Sequence, residues 1–337
     1  MKRIVCFGEM LLRIGARDAE PLLRTPALEG YVGGAEANVA VSLACLGQHV
    51  SMVTVVPDNP IGEACIGELR RHGVDTSAVR RSADRLGLYL LIPGGPLRPA
   101  QVIYDRAHSG FALVPAASYD WRSLLGGADW LHVSGITAAL GEAPLVALRD
   151  AMATAARLGV RISFDCNFRA SLWRGREADA ALVLADLARH ADLLLAGVRD
   201  VAVLFGGDYA SHPASEGFAR AAGAVFAACP RLQWLATTHR EVRGFDEHLL
   251  TGLIADRAGI SCSTTYVIRP VIDRIGSGDA YAAGLLHGLC EGADRAAAVQ
   301  FAGAAAALKH GIRGDFNPCT AADVHRLVGN GGLDLQR

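Results

Sequence analysis

Short apolar segments alternate with longer helical patterns along most of the chain, and this alternation constrains the fold more than any other feature. The predicted strands are 3–7, 50–56, 130–133, 161–164, 193–196 and 234–237. The predicted helices are 35–46, 61–72, 144–158, 178–190, 199–205, 217–227, 279–290, 296–310 and 321–327. Strands that are apolar throughout are buried on both faces, so the pattern predicts an α/β fold whose mainly parallel central sheet is covered by helices on both faces.

Two segments, 10–33 and 86–112, break this alternation. Their predicted strands are 10–14, 29–32, 87–92 and 100–105. The last two of these are joined by Pro93-Gly94-Gly95-Pro96, a sequence typical of a turn. We expect a small antiparallel β lid, inserted in one α/β domain over 1–330, that covers a substrate and excludes water. The tail 331–337 is expected to be frayed.

Composition favours a cytoplasmic protein. The 337 residues are 51% hydrophobic and 20% charged, with a net charge of -1, so neither nucleic acid nor a membrane surface is an expected partner. No apolar run approaches the ~20 residues of a membrane span. The eight cysteines are scattered without CxxC spacing, and no signal peptide is recognisable, which favours a reducing compartment.

A glycine-rich run at 273–284 carries the most specific chemical signal. Gly276 and Gly278 permit a tight turn with bare amides, and a helix is predicted to begin at the second glycine. The N-terminus of a helix presents unpaired N–H groups and a positive dipole end, which suit a phosphoryl group in transfer. Asp279 stands where that dipole would keep a carboxylate ionised and ready to accept a hydroxyl proton. Taken alone, the run also fits an ordinary turn before a helix.

Several other chemistries are excluded by missing motifs. A P-loop needs GxxxxGK[ST], yet of 33 lysines and arginines only Lys2 and Lys309 are lysines, and neither has that context. No GxGxxG follows the first predicted strand, which argues against a dinucleotide-binding oxidoreductase. The sequence has no GxSxG motif and no histidines at metal-ligand spacing.

Polar residues also stand at other turns and strand ends, where open α/β sheets bind ligands. Gly34 precedes a predicted helix whose first turn carries Asn38, an amide that can donate to and accept from sugar hydroxyls. Arg169 follows a predicted strand and offers a planar guanidinium to a phosphate or carboxylate. Thr238 and Arg240 stand just past another strand, on a possible nucleotide path. Each pattern, taken alone, also fits a packed turn.

The lid and the last long helix supply further candidates. Tyr89, Tyr104 and Arg106 would give the lid two phenol hydroxyls and a guanidinium, which suit a small anionic polyol. A solvated charged hairpin is the alternative. Lys309 ends an alanine-rich helix, where the dipole favours a cation. The small residues 304–307 allow packing against an adenine ring or against another helix.

In this order, these stretches resemble the pfkB family of ribokinase-like carbohydrate kinases. The sequence 33–40 matches the family's N-terminal signature, 273–284 matches its C-terminal signature, and the resemblance extends from 7 to 317. Within the family the chain is most similar to 2-keto-3-deoxygluconate kinases, on Phe7-Gly8-Glu9, the lid residues above and Gly314-Asp315-Phe316-Asn317.

The resemblance implies roles for individual residues. The implied sugar-binding residues are Gly34, Asn38, Tyr89, Tyr104, Arg106 and Arg169. The implied nucleotide-binding residues are Asn167, Thr238, Arg240 and Lys309. The amides of Gly276, Ser277 and Gly278 would form an anion hole, and Asp279 would be the catalytic base.

One departure from the family pattern concerns the metal. The family usually carries an Asn-x-x-Glu or Asn-x-x-Asp motif that helps to place magnesium through water. Here the acidic residue is kept as Asp200, but Gly197 replaces the asparagine. We therefore expect Asp200 to act on Mg²⁺ through water, with an altered metal preference or a lower activity.

The implied function is ATP-dependent phosphorylation of a primary hydroxyl on a small acidic sugar, with ATP and Mg²⁺ bound. The first expectation is 2-keto-3-deoxygluconate, converted to its 6-phosphate. The alternatives are a kinase of the same fold acting on fructose, tagatose or a nucleoside, and a sugar-binding regulatory protein without catalysis. An exposed lid edge invites pairing with a second copy, so we expect a homo-oligomer through the lid.

Overall fold

The computed structural model describes residues 1–16, 20–24, 26–95 and 97–329, and the predicted tail 331–337 lies outside them. The strands are β1 (Arg3–Phe7), β2 (Leu11–Ala16), β3 (Leu28–Gly33), β4 (His49–Pro57), β5 (Val79–Ser82), β6 (Gly87–Ile92), β7 (Gln101–Asp105), β8 (Trp130–Ser134), β9 (Arg161–Asp165), β10 (Leu193–Leu195), β11 (Trp234–Val242), β12 (His248–Asp256), β13 (Gly259–Cys262) and β14 (Tyr266–Ile268). The helices are α1 (Ala35–Cys45), α2 (Pro60–Arg71), α3 (Gly110–Leu113), α4 (Trp121–Leu125), α5 (Gly135–Ala139), α6 (Glu142–Leu158), α7 (Glu177–Ala188), α8 (Val198–Phe205), α9 (Ala214–Ala228), α10 (Ser277–Cys290), α11 (Arg295–Lys309) and α12 (Ala321–Val328).

The central sheet has the strand order β13-β12-β11-β10-β9-β8-β1-β4-β5. All neighbours from β11 to β5 run parallel, which confirms the mainly parallel sheet. The strands β12, β13 and β14 extend one edge in antiparallel fashion and were not predicted. These edge strands mix polar and apolar residues, so they lack the continuous apolar signal of the central strands.

Helices cover both faces of the sheet, as the apolar strands require. In β1, Val5 and Phe7 are buried in the core on one face, among side chains of α6, α7 and α9. Ile4 and Cys6 of the same strand are buried on the other face, with α1, α10 and α11. Successive side chains of a strand point to opposite faces, so one short apolar strand contributes to both cores.

The lid is a separate sheet of order β3-β2-β6-β7. Its two outer pairings are antiparallel, as predicted, but its central pair β2–β6 is parallel, with Arg13 opposite Tyr89. The predicted small antiparallel sheet is therefore confirmed as a separate sheet, and only the parallel pairing of its two central strands was not expected. The reason lies in the main sheet: β1 and β5 belong to its parallel part, and the chain passes from each directly into a lid strand, so β2 and β6 leave in the same direction.

None of the helices in the described ranges is both long and apolar enough to cross a membrane.

Close packing of α10 on α11 requires glycine at position 284. A Cβ on Gly284 would lie 2.9 Å from Ala302 Cα and 3.1 Å from Ala305 Cβ. Both neighbours belong to the facing helix, where backbone cannot easily move. The small side chains of α11 thus allow α10, which carries Asp279 in its first turn, to pack closely against α11.

We predict that Gly284→Ala lowers the free energy of unfolding by about 1–3 kcal/mol, because the added methyl group overpacks this contact. The control is Gly67→Ala on the exposed face of α2, where a Cβ meets nothing within 4 Å. It should raise the free energy of unfolding by about 0.5–1 kcal/mol, since alanine is the better helix former. Urea unfolding measures both. Equal shifts of the same sign would contradict the packing argument.

Candidate active site

A cleft of about 720 Å³ lies between the lid and the carboxyl ends of the central strands. Fourteen of the fifteen predicted site residues line it, namely Gly34, Asn38, Tyr89, Tyr104, Arg106, Asn167, Arg169, Asp200, Thr238, Arg240, Gly276, Ser277, Gly278 and Asp279. These residues come from segments far apart in the sequence. The fold brings them together because parallel strands all end at one edge of the sheet.

The glycine-rich turn is built as predicted. Gly276 is the N-cap of α10 and has a φ of 81°, in the left-handed region that favours glycine. A Cβ there would lie 2.0 Å from the backbone oxygen of Asp315, whereas a Cβ on Gly278 would meet no protein atom within 4 Å. Packing against the Asp315 backbone thus requires glycine at position 276, whereas the space beside Gly278 is open.

The amides at this helix mouth are available to different degrees. The first helical hydrogen bond runs from the Ala280 N–H to the Gly276 carbonyl, at 2.8 Å. The N–H groups before it, on residues 277–279, have no acceptor within the helix. The Ser277 N–H donates to the Arg274 carbonyl at 3.3 Å, which closes the turn. The Gly278 and Asp279 amides therefore come closest to the expected anion hole.

Asp279 lies partly exposed at the cleft floor, with protein on its other sides. Asn38 Nδ2 donates to Asp279 Oδ2 at 2.6 Å, so Asn38, which was expected to bind sugar, also holds the carboxyl group. Burial raises the pKa of Asp279 to about 7, although Asn38 and the charge of Arg169 act against the rise. The expectation that the helix dipole keeps Asp279 firmly ionised is corrected, because desolvation is the larger effect. A carboxyl group with this pKa is a competent base at neutral pH.

Arg169 faces several carboxyl groups across the cleft floor. Burial and the charge of Asp279 raise the pKa of Asp165 well above its usual value, and Arg169 opposes that rise. Burial likewise raises the pKa of Asp200, opposed by the Gly197 N–H and by Arg169. Within the described ranges Arg169 forms no ion pair with any of them. Its guanidinium is therefore free to meet an anionic ligand.

Arg106, by contrast, is already paired. Its Nη2 lies 2.5 Å from Glu9 Oε2, its Nε donates to the same oxygen at 2.7 Å, and the side chain is 6% exposed. Ser109 donates to the other oxygen of Glu9. The sequence singled out Glu9 without giving it a role, and the structure shows that it anchors the lid arginine. Arg106 reaches the cleft with its charge largely neutralised.

The other lid residues form the roof of the cleft. The Tyr89 hydroxyl donates to Asp315 Oδ2 at 2.5 Å, and burial raises the pKa of Asp315 to about 6. The Tyr104 ring lies beside Tyr89, with centroids 6.3 Å apart. Asp315 also lines the cleft, although no site role was predicted for it. It was noted only within the GDFN stretch of the family resemblance.

Two arginines mark the side expected to bind the nucleotide. Arg240 and Thr238 line the cleft from β11, and Arg274 lines it from the glycine-rich run. Burial, and then the charge of Arg274, lower the pKa of Arg240, so the two cations lie close enough to repel each other. Neither has an ion-pair partner in the part of the chain that the structure describes. Arg274 was not predicted as a site residue, although it lies inside the glycine-rich run 273–284.

Lys309 does not reach the cleft, contrary to its predicted nucleotide role. It is fully buried, and its Nζ donates to the Ile312 carbonyl at 2.8 Å and to the Asp273 carbonyl at 3.4 Å. Its stem passes beneath the glycine turn, 3.5 Å from where a Gly276 Cβ would be. Lys309 therefore lies next to the glycine-rich turn, but its ammonium group points away from the cleft, toward the carbonyls of Asp273 and Ile312.

Gly197 and Asn167 complete the floor. The Gly197 N–H donates to Asp200 Oδ2 at 2.8 Å, in the first turn of α8. A Cβ on Gly197 would lie 3.4 Å from Asp200 Oδ2 and 3.6 Å from Thr237 Oγ1, both ordinary contact distances, so the structure has room here for the first side-chain carbon of the family's asparagine. Asn167 has a φ of 41°, and its N–H donates to Asp165 Oδ1 at 3.0 Å, so Asp165 holds the turn that carries Asn167.

Known proteins match this chain over nearly its whole length. Residues 1–224 and 257–320 match the family described as pfkB family carbohydrate kinase. The chain is 30% identical over 336 residues to a 2-dehydro-3-deoxygalactonokinase of Haloferax volcanii, covering 99% of both chains. It is 31% identical over 321 residues to a 2-dehydro-3-deoxygluconokinase of Bacillus subtilis, covering 93% of this chain and 91% of the relative.

A solved structure gives the same result. The 2-dehydro-3-deoxygluconokinase of Thermotoga maritima superposes with a TM-score of 0.93 at 34% identity, over 97% of this chain and 98% of that one. The family match spans both signatures that form the cleft, and the fold agrees over nearly the whole chain. The chain therefore belongs to the pfkB family of carbohydrate kinases, phosphotransferases whose acceptor is an alcohol group.

Proposed function

We propose that this kinase transfers the γ-phosphoryl group of ATP to the primary hydroxyl of a 2-keto-3-deoxy sugar acid, and that 2-keto-3-deoxygluconate, giving its 6-phosphate, is its substrate. The observation that carries the proposal is Asp279, which lies between Asn38 and the amides of a glycine-rich helix mouth on the cleft floor. A base and an anion-binding turn at one point are what phosphoryl transfer to a hydroxyl needs.

In the proposed reaction the sugar hydroxyl oxygen attacks the γ-phosphorus. Its proton passes to the carboxylate of Asp279, and the bond from the γ-phosphorus to the ADP oxygen breaks. The amides of Gly278 and Asp279 face the charge that spreads over the transferring group. In a loose transition state the hydroxyl proton leaves late, so a base with a pKa of about 7 is sufficient.

The charge distribution of the cleft supports an acidic sugar. Arg106 is neutralised by Glu9, whereas Arg169 lies on the floor without an ion-pair partner among the described residues. We therefore assign the sugar carboxylate to Arg169 first, with Tyr89, Tyr104 and Arg106 above the sugar. A planar guanidinium binds a carboxylate through two parallel hydrogen bonds, which a neutral sugar cannot use.

The cleft residues fit ATP and Mg²⁺. Arg240 and Arg274 provide two positive charges for a polyphosphate, and Gly278 leaves open space at the helix mouth. Within the described ranges no group of three or more histidine, cysteine or acidic side chains is arranged to hold a metal. Mg²⁺ usually keeps several waters and binds substrate phosphates, so Asp200 would contribute through water, and the metal would neutralise phosphate charge.

The C4 epimer, 2-keto-3-deoxygalactonate, is the second candidate substrate. The relative that covers 99% of this chain carries the name 2-dehydro-3-deoxygalactonokinase. The two acids share the carboxylate, the keto group and the primary hydroxyl, so the residues discussed above serve either one.

Association through the lid stays a prediction. The outer strand β7 exposes Val102 and Ile103, which are 40% and 47% exposed, at the edge of the lid sheet. An exposed apolar edge strand favours pairing with a second copy.

We predict that kcat/KM for the two sugar acids exceeds that for fructose, tagatose and adenosine by at least about 10-fold, the discrimination that one charge-assisted hydrogen bond to the carboxylate gives. ADP release measures the rates, and phosphorus NMR of the product locates the phosphate. Asp279→Asn is the blank for each substrate. Equal turnover of a neutral sugar would overturn the substrate assignment, and sugar binding without ADP release would favour a regulatory protein.

We predict that kcat/KM rises as pH increases through about 7 and then levels off, because Asp279 accepts a proton only when ionised. Asp279→Asn should lower kcat by about 10²- to 10⁴-fold and leave sugar affinity within a few-fold. The exposed Asp150 of α6 provides the control Asp150→Asn, which should keep both the rate and the pH profile. Near-normal kcat in Asp279→Asn would remove Asp279 from the base role.

The same residue has a predicted effect on stability. A raised carboxyl pKa means that the folded protein keeps a proton the unfolded chain has lost, so Asp279 costs stability as pH rises from about 4 to about 7. Asp279→Asn should therefore unfold at a higher temperature than the unaltered protein at pH 8, and the difference should shrink at pH 5. Differential scanning calorimetry at both pH values checks the sign.

We predict that Arg169→Met raises KM for the sugar acid by about 10- to 100-fold, the loss of a charge-assisted hydrogen bond. It should raise KM for fructose much less, since fructose has no carboxylate. It should also move the pH profile upward, because Arg169 lowers the pKa of Asp279. Arg174→Met, at an exposed position outside the cleft, is the control. Equal effects on acid and neutral sugars would refute the carboxylate assignment.

A further inference from the structure

A buried ion pair joins the lid to the glycine-rich turn, and the reaction described above does not use it. Arg13 stands in the lid strand β2, with only 4% of its side chain exposed. Its Nη2 donates to Asp273 Oδ2 at 2.6 Å, and Asp273 is the first residue of the run that contains the anion hole. Charged groups are rarely buried without a structural or functional reason.

Asp273 also accepts hydrogen bonds from the backbone of the glycine-rich turn and of a neighbouring segment. Its Oδ1 accepts the Ile275 N–H at 3.0 Å, one residue before the N-cap of α10. Its Oδ2 also accepts the Gly314 N–H at 3.1 Å. The carboxylate that holds Arg13 therefore fixes the backbone on both sides of the helix mouth.

Arg13 also connects to the sugar side of the cleft. Its Nη1 lies 3.2 Å from Asp315 Oδ1, and the other oxygen of Asp315 accepts the Tyr89 hydroxyl. The Asp315 backbone oxygen packs where a Gly276 side chain would be, 2.0 Å from the Cβ position. The Tyr31 ring of β3 covers the guanidinium, with its centroid 4.5 Å from Cζ. Arg13 thus contacts both Asp315, which holds Tyr89 of the lid roof, and Asp273, which holds the backbone beside the anion hole.

We propose that Arg13 is a positioning residue, which holds the lid in register with the glycine-rich turn so that a sugar under Tyr89 lies in line with Asp279 and the α10 amides. The proposal rests on the sugar-kinase reaction, and it does not depend on which sugar acid is the substrate. Arg13 touches neither substrate nor the reacting atoms. Its effect is geometric, since small displacements of aligned reactants cost large factors in rate.

Arg13→Met tests the proposal, with Arg85→Met as the matched control. Arg85, just before β6, also forms an ion pair with a lid strand, to Asp105 of β7 at 2.8 Å, but its side chains are 39% and 56% exposed and Arg85 does not line the cleft. In Arg13→Met we expect kcat to fall at least 10-fold, the KM for ATP to stay within about 3-fold, and amide exchange of residues 274–279 to speed up. In Arg85→Met all three quantities should stay near those of the unaltered protein.

Two further variants keep the test decisive if Arg13→Met fails to fold. Arg13→Lys keeps the buried charge but loses the planar guanidinium that spans Asp273 and Asp315, so it should fold. We expect its kcat to lie between those of the unaltered protein and Arg13→Met, and amide exchange at 274–279 to be faster than in the unaltered protein. Asp273→Asn combined with Arg13→Lys should lower kcat by less than the product of the single effects, because both changes break one link.

The outcomes separate this proposal from the substrate assignment. Amide exchange needs no substrate, so a wrong sugar would leave the unaltered protein inactive on that sugar without affecting the exchange result. Unchanged exchange at 274–279 in Arg13→Met or Arg13→Lys would overturn the positioning role, whatever the kinetics. A kcat within 3-fold of the unaltered protein in a folded Arg13→Met would overturn it as well.

Discussion

The close contact between Gly276 and the Asp315 backbone is the constraint on which the cleft depends. A side chain at Gly276 would place its Cβ 2.0 Å from the Asp315 oxygen, and a φ of 81° already favours glycine there. This contact sets the start of α10, and with it the position of the free amides and of Asp279. Asp315 also accepts the Tyr89 hydroxyl, so the same contact links the glycine-rich turn to the lid.

Burial, more than the helix dipole, determines the chemistry at Asp279. A dipole at a helix N-terminus stabilises a carboxylate by at most about 1–2 kcal/mol, whereas desolvation can raise a buried carboxyl pKa by several units. The net result is a pKa of about 7. Asn38 donates to the carboxyl group without ionising it fully, which leaves a base matched to neutral pH. The ionised form of Asp279 is therefore less stable than that of an exposed aspartate, and its carboxylate is the stronger base.

Charge is distributed unevenly over the cleft. On the lid side the cations Arg13 and Arg106 are paired with buried carboxylates and act as supports. On the floor and the opposite side, Arg169, Arg240 and Arg274 have no such partners among the described residues. Paired charges fix geometry, and unpaired charges beside open space attract anions, so the arrangement separates the framework of the site from its ligand-binding surface.

The sequence by itself determined the layered α/β fold, the longer helices, most of the central strands, the small separate sheet and fourteen of the residues that line the cleft. Apolar periodicity, glycine turns and local motifs depend on neighbouring residues, so they can be recognised without the tertiary structure. The sequence could not determine that β2 and β6 run parallel, that Arg106 is neutralised by Glu9, that Lys309 faces two carbonyls behind the turn, or that Asp279 is a weak acid. Each of these depends on groups far apart in the chain. Only the tertiary structure decided them, because desolvation and charge pairing depend on distances in space that local sequence does not encode.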